Sequence, residues 1–323
     1  MKVLNLFWHS ILPDSIAPEK QDGSNSTASM FREQVRFIAN MYTPISISDF
    51  VEITGNPSLK RSFIKPPVLL GFDDGFKNVI TEALPILNEF KVPALFFVIG
   101  EILKDPEFVP WFIELRHLLR RTEKSTIRYG SLVINLFLQQ DRAKLLDLFR
   151  ASFRACRSEA DRQRLLLELA ETLAVARPVA SDLDEDLRLV TKADLAALDS
   201  SSLMTIASHT MTHRYLDCLP YEEQVVELEE SDSLLREFCP SYFPVISYPL
   251  GSFNADTMAI AKGIYRAGFA VFLNSSYRNL YRYPRVGINR DSVEELAYML
   301  SPMRLNCLLP LKRVLHVTGI RRA

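Results

Sequence analysis

The chain has 323 residues, of which 48% are hydrophobic and 24% charged, and its net charge is −1. That length suits one large α/β domain or two smaller ones, with a sizeable core. The near-zero charge leaves no footprint for nucleic acid or an anionic membrane, and no segment has the length of a transmembrane helix. The four cysteines, Cys156, Cys218, Cys239 and Cys307, show no paired or metal-type spacing. Free thiols in a reducing compartment are the expectation. Met1 to Leu12 is interrupted by Asn5 and His9 and lacks a small-residue cleavage site, so it does not read as a signal peptide. A cytoplasmic location, at most at the inner face of a membrane, is expected.

In chain order, Val3 to Trp8 reads as a first apolar strand ending at His9, and residues 13–29 as a polar loop. Ala28 to Met41 carries Phe31, Val35 and Ile38 at helical spacing. A short strand over Pro44 to Ile47 leads to a helix capped by Ser48. After a loop comes the apolar run Pro67 to Leu70, read as a buried strand to Phe72. A helix over Asn78 to Phe90 contains Pro85, which predicts a kink or a late start. Pro93 to Ile99 is long enough for a buried strand. Strand, helix, strand, helix, strand in this order argues for parallel βα units.

From about Lys104 to Ser200 the pattern becomes helical and charged, with helices expected over Trp111 to Arg121, Asp141 to Cys156, Glu159 to Arg177 and Thr191 to Leu198. Residues 104–200 therefore read as a helical insertion within a single catalytic domain spanning 1–323. A packed subdomain is its plainer role, and a lid or a surface for homo-oligomers the sharper one. The α/β pattern resumes with a strand over Leu203 to Ala207 and a helix over Tyr221 to Phe238. Then come a strand over Pro244 to Tyr248, a helix over Ala255 to Ala267 closed by Gly268, and strands over Phe269 to Leu273 and Arg285 to Ile288. Ser292 caps a last helix through Leu300. Residues 301–323 are left without an assignment, and no internal repeat is visible.

Chemistry-bearing residues collect after the strands. Asp73-Asp74 follows the Val68–Phe72 strand with Gly75 opening the turn. Adjacent carboxylates disfavour each other's ionisation unless a cation or a donor offsets them. On local sequence alone a polar capping turn explains the pair equally well. His209 and His213 lie four apart after the Leu203 strand, so both imidazoles can reach one ion, an accidental pair on a surface turn being the equal alternative on spacing alone. Pro249-Leu250-Gly251 and His9 also follow strands, and in parallel α/β folds sites gather at that edge. Two imidazoles and one carboxylate make a common catalytic zinc set. One Asp can then bind the metal while its neighbour acts as base on water. A histidine is the natural acid for a leaving amine, and an N–H of the Pro-Leu-Gly turn can serve an oxyanion.

These residues resemble the motifs of the polysaccharide deacetylase family, also called NodB-homology or carbohydrate esterase 4. Gly71-Phe72-Asp73-Asp74-Gly75 resembles Thr-Phe-Asp-Asp-Gly. Ser208-His209-Thr210-Met211-Thr212-His213 resembles the His-(Ser/Thr)-x-x-His region, and Ser247-Tyr248-Pro249-Leu250-Gly251 the Tyr-Pro-x-Gly motif. The resemblance covers residues 1–100 and 201–300. It implies a deformed (β/α) barrel, Asp73 as general base, and Asp74, His209 and His213 as ligands of a divalent metal, most simply Zn2+. It also implies the Leu250 amide in the oxyanion site and an N-acetylated amino sugar or oligosaccharide as substrate.

Two departures stand out. Ser247 occupies the place of an Arg that orients the base. Arg285 is the candidate substitute, an ordinary surface arginine being the alternative. The late Leu-x-His acid motif has no clean match. His9, in Leu6-Phe7-Trp8-His9, resembles the start of the poly-N-acetylglucosamine deacetylase branch and is preferred as acid over His316. His117 reads as structural. A deacetylase acting on a lipid- or nucleotide-linked glycan precursor is the main expectation. An inactive sugar-binding scaffold, or a deformylase or esterase on the same fold, is the alternative.

Overall fold

The computed structural model describes residues 2–17, 25–56, 63–198, 203–271, 279–288 and 292–301. The first half builds β1 (Leu4–Trp8), β2 (Ser10–Leu12), β3 (Asn25–Thr27), α1 (Ala28–Met41), β4 (Thr43–Pro44), α2 (Ile47–Gly55), β5 (Pro67–Phe72), α3 (Leu84–Phe90) and β6 (Ala94–Val98). Next come α4 (Trp111–Arg121), β7 (Thr126–Tyr129), β8 (Leu132–Asn135), α5 (Gln139–Ala155), α6 (Glu159–Leu173) and α7 (Lys192–Leu198). The chain closes with β9 (Met204–Ser208), α8 (Tyr221–Phe238), β10 (Tyr242–Ser247), α9 (Ala255–Ile264), β11 (Ala267–Ala270), β12 (Tyr283–Pro284), β13 (Val286–Gly287) and α10 (Val293–Met299).

The main sheet runs in the order β12-β11-β10-β9-β6-β5-β1-β13, with β4 added beside β5, and its pairings are parallel. Its two ends are neighbours in sequence. Tyr283 and Pro284 pair with Phe269 and Ala270, whereas Val286 and Gly287 pair with Leu6 and Phe7. One extended segment thus changes partner at Arg285 and closes the sheet into a deformed (β/α) barrel. Alternate strand residues face opposite ways. Val3, Leu69, Leu95, Phe97, Ala207, Val245, Ala267 and Phe269 form one cluster, against which α2 lays Ile47, Phe50 and Ile53. Leu4, Leu6, Trp8, Leu70, Phe72, Phe96 and Val98 belong to another, shared with α1, α3 and α7. No helix among the described residues is long and apolar enough to cross a membrane.

Several local expectations change. The helix after β4 is capped by Ser46, whose hydroxyl accepts from the Asp49 N–H at 3.1 Å, rather than by Ser48. The helix expected over residues 78–90 begins as a π turn over Val79–Ala83, and α3 starts at Leu84. Pro85 then falls in the first turn, where a missing N–H costs nothing. The expected helix over Ala255 to Ala267 ends at Ile264, and Gly268 lies inside β11. The reason is steric: a Cβ on Gly268 would sit 2.3 Å from the Tyr248 hydroxyl oxygen. That glycine admits a close approach instead of closing a helix.

The stretch read as helical also contains an antiparallel hairpin, β7 with β8, that turns at Gly130 (φ 58°). Ile127 and Ile134 face inward while Arg128 and Val133 face out, the alternation of a half-buried strand pair. Trp111, Leu115, Leu118, Phe149, Phe153 and Leu173 build a cluster of their own here. Leu183, Leu187, Val190, Leu195 and Leu198 instead join the barrel's outer core.

Candidate active site

At the end of β5 the chain turns sharply. Asp74 (φ 75°) and Gly75 (φ 80°) are both left-handed, while the Asp73 N–H still donates to the Trp8 carbonyl at 2.9 Å. The turn gives the two adjacent carboxylates different partners. Asp73 receives a two-pronged bond from Arg285, Nη1 to Oδ1 at 2.8 Å and Nη2 to Oδ2 at 2.7 Å. Arg285 Nη2 also donates to the Ser247 hydroxyl at 2.6 Å, and that hydroxyl lies 3.3 Å from Asp73 Oδ2. All three residues are buried. The guanidinium lies 4.2 Å from the Phe7 ring centre and 5.3 Å from that of Phe97, a weakly hydrated cation between two aromatic faces. Burial alone would raise the Asp73 pKa, but the Arg285 charge and its bonds outweigh this and hold it below the ordinary value.

Asp74 turns the other way. Its Oδ1 lies 3.2 Å from His209 Nε2 and 3.3 Å from His213 Nε2. Ligand atoms of the three residues fall within 4.8 Å of one another, and all three are buried. His209 Nδ1 is 2.9 Å from the Ser247 carbonyl oxygen, which only accepts, so that nitrogen carries the ring proton. Nε2 of the neutral ring then aims a lone pair at a carboxylate oxygen. A charged ring would instead donate Nε2–H to that oxygen, and with neutral rings the three residues make a donor set that could hold a divalent cation. Burial works against ionisation of Asp74, yet the two imidazoles hold its pKa well below the usual carboxylate range. Burial also disfavours a charged His209, and Asp73 and Asp74 override it, so its pKa is raised. At His213 burial prevails and the pKa is lowered.

The ligand turn is unusual in its backbone. Thr210 (φ 63°) and His213 (φ 59°) are both left-handed. The Thr210 hydroxyl accepts from the His213 N–H at 3.2 Å. The α4 residues reach this turn as well: Trp111 Nε1 donates to the His213 carbonyl at 3.1 Å, and the Phe112 ring lies 4.5 Å from the His213 ring.

Leu250 sits in the Pro249–Gly251 turn that follows β10, left-handed at φ 56° and with its side chain exposed. The N–H groups that open such a turn have no partner within it. His9 follows β1, half buried, with its Nδ1 buried and without a hydrogen-bond partner among the described residues. It is close enough to favour the ionised forms of both Asp73 and Asp74. His117 lies buried on α4, with its pKa lowered by burial. His316 and Cys307 lie outside the described residues. Sequence reasoning treated Ser247 only as a lost arginine. The structure places its hydroxyl on Asp73 and Arg285 and its carbonyl on His209. No residue-type signal marks a backbone acceptor, so the second of these contacts had none to read.

The sequence model of the polysaccharide deacetylase family matches residues 60–131 and 179–267, which hold all three motifs. The chain belongs to that family, and is a hydrolase acting on the amide bond of N-acetyl sugars. The unmatched residues between, 132–178, hold most of the apolar cluster built around Trp111 and Phe149. No curated protein matches this chain in sequence. Among solved structures, the Streptococcus pyogenes deacetylase PplD in complex with acetate is similar at 18% identity, with 94% of this chain and 99% of that one covered and a TM-score of 0.61. IcaB from Ammonifex degensii is similar at 15% identity, with 92% and 95% covered and a TM-score of 0.53. A de-N-acetylase from Aggregatibacter actinomycetemcomitans gives 15% identity, 90% and 95% covered and a TM-score of 0.54. At these identities the structures speak for the fold.

Proposed function

We propose that this chain is a metal-dependent deacetylase that removes the N-acetyl group of an amino sugar in a glycan or glycan precursor. The observation that supports it is the split between two neighbouring carboxylates. Asp73 is held ionised by Arg285 and Ser247, while Asp74 shares one point with His209 and His213. Asp74, His209 and His213 would hold a divalent cation, which would supply Lewis acidity for the attacking water and the amide carbonyl. Asp73, kept as a carboxylate and oriented by the arginine fork, takes the proton of the attacking water. The Leu250 N–H donates to the oxyanion that develops on the former carbonyl oxygen. His9, at the end of β1, serves as the acid that gives a proton to the departing amine.

Acetate release from oligomers of N-acetylglucosamine, with metal content measured on the same preparations, tests this. Asp73→Asn should lower turnover by roughly 10²- to 10⁴-fold, as loss of a general base does, with metal retained. Asp74→Ala and His213→Ala should lose the metal. Full turnover by Asp73→Asn would sink the mechanism.

A further inference from the structure

Helix α8 buries a carboxylate where an apolar residue would ordinarily sit. Glu227 has no exposed surface, and a buried charge is costly unless its oxygens are fully bonded. Its partners all come from the turn that carries His213. Oε2 accepts the Met211 N–H at 3.0 Å and the Thr212 N–H at 2.9 Å. Oε1 accepts the Thr212 hydroxyl and Arg214 Nε, the latter at 2.8 Å. One turn further along the same helix face, the buried Ser231 hydroxyl is 2.8 Å from that of Ser208. Ser208 Oγ in turn accepts the Thr210 N–H at 3.2 Å. The polar face of α8 therefore holds residues 208, 211, 212 and 214 directly and 210 through Ser208, around a turn with two left-handed non-glycine residues. That backbone is unfavourable for Thr and His and persists only where surrounding bonds over-determine it.

We propose that Glu227 is a positioning residue. Its carboxylate clamps the 210–214 backbone in the left-handed form that lets His209 and His213 converge on Asp74. The inference rests on the metal-site reading above. The amide side chain of glutamine has the same shape but only one accepting oxygen, so a Gln at 227 turns its NH2 either on the two backbone N–H groups or on Arg214, and only the Thr212 hydroxyl can adapt by accepting. Arg214 has a second acidic neighbour, Glu223 at 2.9 Å on the outer side of the helix. Among the described residues Glu223 pairs with Arg214 and Arg162 and makes no hydrogen bond to the 208–213 backbone, which makes it the control.

The test is zinc affinity of the full chain, measured by competition with a chromophoric chelator, beside thermal unfolding without metal. Glu227→Gln should still fold without metal, melting below the parent because buried donors lose their acceptor, yet bind zinc roughly ten- to hundred-fold more weakly, the usual loss when a group that orients a ligand is removed. Glu223→Gln should bind zinc as the parent does. If Glu227→Gln fails to fold, Thr212→Val removes one donor from the clamp at a half-buried position and should weaken zinc at least about threefold. Parent-like zinc affinity in folded Glu227→Gln, or in Thr212→Val where that variant must stand in, overturns the clamp, as does an equal loss in Glu223→Gln. A parent protein that binds no zinc would overturn the metal-site reading itself, so the two failures are distinguishable.

Discussion

Arg285 is the residue on which the catalytic reading of Asp73 turns. It lies far along the chain from the carboxylate it holds, and sequence alone leaves it indistinguishable from a surface arginine. The closing strand changes partners at its position and puts its side chain in the barrel, between Phe7 and Phe97. Removing one partner of a buried pair leaves an uncompensated charge, at a cost of about 3–5 kcal/mol. Arg285→Met should therefore destabilise the protein by about that much in denaturant unfolding. Arg285→Lys should keep more of the stability but lose turnover, because an ammonium cannot reproduce the planar fork. Acid titration checks the same pair. Asp73 has a lowered folded pKa against an ordinary 3.8, so its pairing stabilises fully above that value. The stabilisation is lost as pH falls through the folded value. Stability of the parent should thus drop below about pH 4 in part through Asp73, and Arg285→Met should flatten that part of the profile.

At the scale of elements, the long helices and buried strands were legible from spacing. The errors came where one tertiary contact overrode local preference. Gly268 reads as a helix terminator beside Ala267, but β11 needs it so that the Tyr248 hydroxyl can pass and donate to the Tyr281 carbonyl at 2.8 Å. An added methyl there would meet that oxygen at 2.3 Å and the Tyr281 carbonyl at 2.9 Å. Gly268→Ala should cost about 1–3 kcal/mol through overpacking, read as a lower denaturant midpoint with an unchanged slope. A neutral result would show that Tyr248 moves aside freely. The β7–β8 hairpin was missed for a different reason. Thr126-Ile127-Arg128-Tyr129-Gly130 has period-two burial, yet it is short and lies between strongly helical charged segments.

The whole molecule closes through its site. The same residues that seal the barrel, 283–287, carry the arginine, and the turn that carries His213 is bonded by α8 and touched by Trp111 and Phe112. Metal binding at this junction should couple to global stability. At a free zinc concentration about 100 times Kd, unfolding should cost about 2.7 kcal/mol more than in chelator. The gain should be absent from Asp74→Ala, measured by the same denaturant titration with and without metal. A parent whose stability ignores zinc would argue against ligation by the folded site.

The sequence by itself determined which residue types stand at strand ends. Apolar runs too short for helices must be buried strands, and parallel βα order places their carboxyl ends on one rim, so Asp73, Asp74, His209, His213, Leu250 and His9 could be gathered before any coordinates. What local spacing cannot encode is the direction of a side chain across a closed sheet. Only the tertiary structure decided that Asp73 and Asp74 face different partners, that Arg285 lies on Asp73 and Ser247, and that Glu227 is bonded to a backbone turn. Each of those depends on barrel closure and on a left-handed backbone, both of which are set by contacts between residues distant in the chain.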